Sequence, residues 1–335
     1  MATLSDVARL AGISLSTASR ALNGSRDRVV RPDLAAKALE AARQLNYVPN
    51  AAAQTMARGH SNTIVAIVND IRDPYFSSIA AGVMKTASEA GYIVTLCTPA
   101  PDRQGLVPLI NALRQQRPEA LLVTGGMWNE RGYLNQVRAA LEDFQASTGA
   151  QICTIGHARL GFHSVAVRNR GGAAALGTAL AELGWTTAAI LAGPAQQLTA
   201  VRRTEGFTEG FGGRLVGCIH GDFTRDGGYD AMRAALTLDP RPELVFAVND
   251  VMAVGALAAA REAGLSVPGD IAVAGFDDIP TLRDVTPALT TVRVPMELIG
   301  TTAVNLVLQP AETEPTTVTL STSPVLRDST ARPEG

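Results

Sequence analysis

Groups that carry covalent or metal chemistry are sparse in this chain. Its 335 residues hold three cysteines, Cys97, Cys153 and Cys218, odd in number and far apart. That excludes a disulfide framework and the spacing of a zinc motif. Each lies in or beside an apolar stretch, so buried free thiols are expected. The four histidines, His60, His157, His163 and His220, are scattered. His60, His163 and His220 read as surface or hydrogen-bonded side chains, and His157 takes no assignment. No glycine-rich dinucleotide fingerprint follows a strand-like run. Gly156 and Gly161 have Walker-like spacing, but no Lys-Ser/Thr pair completes it. H-E-x-x-H and G-x-S-x-G are also missing. No catalytic residues, metal or cofactor are expected, and an oxidoreductase or hydrolase is the alternative these absences argue against. Hydrophobic residues make up 46% of the chain, yet no apolar run reaches the ~18 residues that span a bilayer. The first residues lack the charged and apolar regions of a signal peptide, so a cytoplasmic protein is expected.

Charge is uneven. The overall formal charge is −2. Residues 1–60 hold eight Lys/Arg (Arg9, Arg20, Arg26, Arg28, Arg31, Lys37, Arg43, Arg58) against four acids (Asp6, Asp27, Asp33, Glu40), a surplus of four positive charges. The other 275 residues carry six excess negative charges. A basic head on an acidic body suits a nucleic-acid module joined to a sensor.

The head opens with Thr3 and Asp6 in capping-box spacing, so a helix can begin at Leu4. Leu4, Val7, Ala8 and Ala11 form one apolar face, and Gly12 suits a left-handed helix end. Ile13 is expected as a buried plug. Ser14 caps a second helix that buries Ala18, Ala21 and Leu22 and exposes Leu15, Ser16, Thr17, Ser19 and Arg20. Two short helices joined this way form the unit that lays its second helix in the major groove, although an ordinary helical hairpin reads the same. Pro32 and Asp33 open a third helix, with Ala35, Ala38, Leu39, Ala42 and Leu45 toward the core. Asn50 caps a short run over 51–58 that is too brief to be stable alone. Its one large apolar residue is Met56. This run reads as a hinge that becomes helical on a surface.

From Thr63 the pattern becomes strand, helix, strand. Strands are expected at 63–68, 92–97, 120–124, 152–155, 188–192, near 215, 244–248 and 271–274. Helices are expected at 74–90, 105–116, 132–145, 172–183, 200–211, 228–238, 251–263 and 296–308. The alternation implies parallel doubly wound sheets, in two similar lobes with a cleft between. In such sheets ligands sit beyond the strand ends. Asp250, after the 244–248 strand, can cap the next helix or face a ligand.

Several segments together resemble the LacI/GalR family of bacterial transcription regulators over nearly the whole chain. They are Thr-Leu-Ser-Asp-Val-Ala-Arg-Leu-Ala-Gly-Ile-Ser at 3–14, Ser-Thr-Ala-Ser-Arg-Ala-Leu-Asn-Gly at 16–24, Leu-Asn-Tyr-Val-Pro-Asn at 45–50 and Asp-Pro-Tyr-Phe at 73–76. Val-Asn-Asp follows at 248–250, Ala-Gly-Phe-Asp-Asp at 274–278 and Pro-Ala-Leu-Thr-Thr-Val at 287–292, in family order and spacing. The resemblance implies a helix-turn-helix head (1–49), a hinge helix (50–60) and an effector-binding and dimerisation domain (61–335) similar to the periplasmic sugar-binding proteins. Its N-lobe is expected at 61–160 and 293–322, and its C-lobe at 161–292 and 323–335, with three crossovers between them.

By the same resemblance, the chain is expected to be a repressor that binds a pseudo-palindromic operator as a homodimer. A sugar or sugar derivative in the cleft would gate it. A small-molecule-binding protein without DNA readout is the alternative. Leu15, Ser16, Thr17, Ser19 and Arg20 would meet DNA, with Asn50 and Met56 at the hinge. Tyr75, Phe76, Trp128, Arg203, Phe223, Asn249 and Asp277 would meet the effector, Arg203 and Asp277 from opposite lobes. Arg168 departs from the family, which usually has Asp there. Losing an acid and gaining a base favours a more acidic ligand. Arg31 stands where a small hydroxyl residue is usual, and Met56 where leucine is.

Overall fold

The computed structural model describes residues 2–23, 30–48, 61–100, 105–125, 128–156, 160–310 and 313–332. The hinge expected over 50–60, with Asn50, Met56 and His60, lies outside them, as does His157.

Three helices build the head: α1 (Leu4–Ala11), α2 (Leu15–Asn23) and α3 (Pro32–Gln44). The Thr3–Asp6 capping box forms in both directions, and Gly12 ends α1 at φ 63°. At that angle glycine avoids the steric cost of a Cβ. The core is small and alanine-rich: Val7, Ala8, Ala18, Ala38, Ala41 and Ala42 are buried. Several expectations fail here. Leu39 is 57% exposed, whereas Ala41 is buried. The face of α3 toward the core therefore runs through 38, 41, 42 and 45, because this is the side that α1 and α2 cover. Ile13, Ala21 and Leu22 are only half-buried, as three short helices cannot enclose them.

The body holds two parallel sheets. In the first, the strand order is β11-β5-β4-β3-β1-β2. Its strands are β1 (Thr63–Ile67), β2 (Ile93–Cys97), β3 (Ala120–Thr124), β4 (Gln151–Ile155), β5 (His163–Val167) and β11 (Thr317–Leu320). Helices α4 (Pro74–Glu89), α5 (Leu106–Leu113), α6 (Arg131–Thr148) and α11 (Met296–Val307) cover it. Gly82 lies so close to Glu297 that a Cβ there would sit 2.1 Å from the Glu297 carbonyl oxygen, which lets α4 and α11 meet backbone to backbone.

The second sheet has the order β7-β6-β8-β9, from β6 (Thr187–Ala192), β7 (Arg214–His220), β8 (Leu244–Ala247) and β9 (Ala272–Ala274). Helices α7 (Asn169–Glu182), α8 (Leu198–Phe211), α9 (Arg225–Ala235) and α10 (Asp250–Glu262) flank it. Phe207 stacks on Phe211 and Phe246 with centroids 5.3 and 4.4 Å apart, inside this lobe's core.

The expected lobe boundary at 160 moves. β5 pairs with β4 and β11 and so stays in the first sheet; the chain crosses after Val167. It crosses back after β10 (Thr291–Arg293) and again between β11 and β12 (Ser323–Val325). The three crossings lie side by side. Arg168 N donates to Leu320 O at 3.3 Å, Thr322 Oγ1 donates to Arg168 O at 3.3 Å, and Arg293 pairs with Ser323.

Of the cysteines only Cys153 is buried. Cys97 is half-buried and Cys218 exposed, since both sit on edge strands, β2 and β7. Among the described residues no helix is long and apolar enough to cross a membrane, and no cluster of His, Cys, Asp or Glu could hold a metal.

Candidate functional site

In the head, Ser14 Oγ accepts from Thr17 N at 3.1 Å and so caps α2. Leu15 is 51% exposed and Ser16 is exposed, at the N-terminal end of the helix. Thr17, Ser19 and Arg20 are half-buried rather than fully exposed. The Arg20 side chain folds back, and its Nε donates to Ser16 O at 3.0 Å. This lays the guanidinium stem along the helix surface, which accounts for its partial burial.

In the body, the strand orders place a topological switch beside β1 in one sheet and beside β6 in the other. Chain leaving neighbouring strands there diverges, which opens a crevice at the carboxyl ends. Both crevices face one cavity of about 460 Å³. Tyr75, Phe76, Trp128, Arg203, Phe223, Asn249 and Asp277 all line it.

Arg203, on α8, is the most constrained of them. Its Nε donates to Asn169 Oδ1 at 2.9 Å, Nη1 to Val248 O at 2.8 Å, and Nη2 to Asp277 Oδ1 at 2.8 Å. Its guanidinium lies 3.9 Å from the Phe276 ring centroid. The side chains of Arg203 and Asp277 are 4% and 5% exposed. These bonds use three of the five guanidinium N–H donors. The expectation that Arg203 and Asp277 face each other from opposite lobes fails. Both belong to the second lobe, where they are bound to each other. Burial raises the pKa of the Asp277 carboxyl, the Arg203 guanidinium opposes that shift, and Asp250 and Asp73 add repulsion.

Asn249 Oδ1 accepts from Met252 N at 2.9 Å, so Asn249 caps α10. Asp250 neither caps nor lines the cavity. It points into the lobe, accepting from Thr291 Oγ1 at 2.6 Å and Ile279 N at 3.0 Å. Burial pushes its carboxyl up to about 7.

The aromatic walls rest on glycines. A Cβ at Gly125 would lie 2.7 Å from Phe76 Cε1, and one at Gly193 would lie 2.4 Å from Phe223 Cε1. Tyr75 stands edge-on to Phe76, centroids 5.1 Å apart. Burial, reinforced by Asp277, raises the pKa of its hydroxyl. Trp128 forms a backbone bridge with Gln197, and Asn129 N donates to Gln196 O at 2.7 Å, which ties the two lobes at the cavity.

Sequence reasoning missed Asn69, Asp73, Asn169 and Thr199, which also line the cavity. Asn69 and Asp73 follow β1, and Thr199 follows β6. The strand-end rule that selected Tyr75 and Asn249 selects these as well.

Residues 3–50 match the model of the bacterial regulatory proteins, lacI family, and residues 178–330 that of the periplasmic binding protein-like domain. Over 320 residues the chain is 33% identical to the ribose operon repressor of Escherichia coli (strain K12), covering 92% of each. The chain belongs to the lacI family. This lacI-family member is thus a DNA-binding regulator and not an enzyme. It superposes on the lac repressor dimer bound to operator and the anti-inducer ONPF with a TM-score of 0.84, at 26% identity over 99% of each chain. The complex of the transcriptional regulator CelR with cellobiose gives 0.70, at 28% identity over 98% of this chain and 100% of that one.

Proposed function

We propose that this lacI-family regulator is a cytoplasmic repressor that binds a pseudo-palindromic operator as a homodimer. A carbohydrate effector held between its lobes gates that binding. The observation that carries the effector reading is Arg203: a buried guanidinium, fixed by three hydrogen bonds, with donors left over beside a 460 Å³ cavity. Fixed donors and acceptors suit a ring of hydroxyls, and Tyr75, Phe76, Trp128 and Phe223 offer faces for the apolar side of a sugar. Asn249 and Asp277 supply polar groups on the same wall.

In the head, Arg20, Leu15 and Ser16 read base edges from the first turns of α2, while Thr17 and Ser19 hold phosphates. Asn50 and Met56 belong to a hinge over 50–60 that enters the minor groove, where an apolar wedge can open a base step. The dimer reading rests on Met84, Ile93 and Leu96, large apolar side chains left exposed on α4 and the edge strand β2. Ile93 is 69% exposed, in a position where an unpaired strand edge invites a partner.

Footprinting on genomic fragments, followed by titration with sugars, tests the reading. A protected palindrome whose occupancy changes with a sugar supports it. A protein that binds sugar and protects no DNA overturns it. Sedimentation of the Ile93→Glu variant should show monomer, and an unchanged dimer would remove that surface from the proposal.

A further inference from the structure

The effector cavity has a side chamber of about 340 Å³, lined by Arg168, Arg170 and Arg202. Gly156, Asn169 and Thr199 line both spaces, so the chamber opens into the cleft. Among the described residues no Asp or Glu lines it. Arg170 does reach Glu209 at 3.0 Å, and Arg202 reaches Glu205 at 3.5 Å, but both acids stand outside the chamber. Arg168 makes no ion pair among the described residues. The main cavity is different in character: Asp70, Asp73, Asp222 and Asp277 line it, with Arg72 and Arg203. One continuous space thus has an acceptor-rich body and a purely cationic annex.

The backbone adds to the positive field. Arg168 and Gln197 precede α7 and α8, and neither helix has a side-chain cap. The helices run alongside each other, since a Cβ at Gly206 would meet Arg170 O at 2.1 Å and one at Gly210 would meet Ala174 O at 1.9 Å. Asn169 and Arg170 from the start of α7, and Leu198 and Thr199 from the start of α8, border the chamber. Had residue 168 been an acid, it would have carried the opposite charge into the annex. As arginine, it leaves the helix end free and adds a third guanidinium.

From this arrangement we infer that the effector is an anionic sugar, a polyhydroxylated body in the cleft carrying an oxyanion in the arginine chamber. Guanidinium groups bind carboxylate and phosphate oxygens through paired, charge-assisted hydrogen bonds. A neutral sugar would leave Arg168 without a counter-charge and would use neither of the guanidinium groups beside it, whose own acids stand outside the chamber. The inference rests on the carbohydrate reading of the cleft.

Calorimetry on the full chain tests it with matched probes: ribose, ribose 5-phosphate and ribonate, and glucose, glucose 6-phosphate and gluconate. One anionic member should bind at least about ten-fold more tightly than its neutral parent, with an advantage that shrinks as salt is added. Whether the phosphate or the carboxylate gains identifies the oxyanion. In Arg168→Ala/Arg202→Ala the ratio of anionic to neutral affinity should fall toward one. Both substitutions lie on accessible side chains, and a melting curve of the free variant checks that it folds. A neutral sugar that binds as well as its anionic derivatives, or a ratio unchanged in the variant, overturns the inference and leaves the carbohydrate reading standing. If no probe of either class binds, the carbohydrate reading fails and the inference falls with it.

Discussion

Arg203 and Asp277 are joined at 2.8 Å inside one lobe, with both side chains almost fully withdrawn from solvent. A buried pair of this kind adds little net stability, but removing one member strands the other. The cavity wall therefore depends on both charges, and they act on the fold as well as on a ligand.

Arg203→Ala should lower stability by about 3–5 kcal/mol, because Asp277 is then left buried without its cation. The double variant Arg203→Met/Asp277→Asn should recover much of that loss. Thermal unfolding of the two variants and the wild type gives the comparison. A double variant no more stable than Arg203→Ala would show that the pair is not coupled.

Asp250 predicts a pH dependence. Its folded pKa is raised to about 7 from 3.8 by burial, with Asp278 adding repulsion and Thr291, Ile279 and Arg203 opposing. Below the unfolded value both states hold the proton, so the group contributes no pH dependence. As pH rises toward 7, the unfolded state releases its proton first, and the wild type loses stability. Asp250→Asn should flatten that fall, by an amount on the order of a few kcal/mol. Melting temperatures across this range, wild type against variant, will show it. Parallel curves would mean that Asp250 is ionised throughout.

Arg20→Ala should relax sequence choice and weaken specific operator binding by about 1–3 kcal/mol, as for the loss of a direct base contact. Binding to the operator and to single-base variants of it is the measurement. Full discrimination in the variant would reduce Arg20 to a phosphate contact.

Gly193→Ala pushes a methyl group to 2.4 Å from the Phe223 ring. The ring must then shift, and because Phe223 lines the cavity, effector affinity should fall about ten-fold, a loss of ~1.4 kcal/mol. Operator binding without effector should be unchanged. Calorimetry and a gel shift separate the two effects.

Local signals were legible in the sequence. Thr3 and Asp6 announced α1 because a capping box is decided within four residues. The βα rhythm announced both sheets, since buried parallel strands are apolar runs set apart by helices. The face of α3 was misjudged because a helix of alanines offers no contrast between its sides: Leu39 drew the eye, yet Ala41 packs. β5, β10, β11 and β12 were missed for a related reason. They are three to five residues long, β11 alternates at an exposed edge, and β12 contains Pro324. All seven effector candidates line one cavity, from both lobes, because strand ends locate it. Their partners were beyond reach. The contact of Arg203 with Asp277 spans 74 positions, and nothing near either residue announces the other.

The three neighbouring crossings at Arg168, Arg293 and Thr322 also limit what the lobes can do. A body hung from a single strand can swivel about it. Bodies joined by a strip of three are restrained against swivel and shear by the hydrogen bonds between the crossings, so flexing across the strip is the softer motion. The cleft can then pass on only one quantity, the angle at which it stands. Substitutions on its walls could retune which molecule sets that angle without rebuilding the route by which the head receives it.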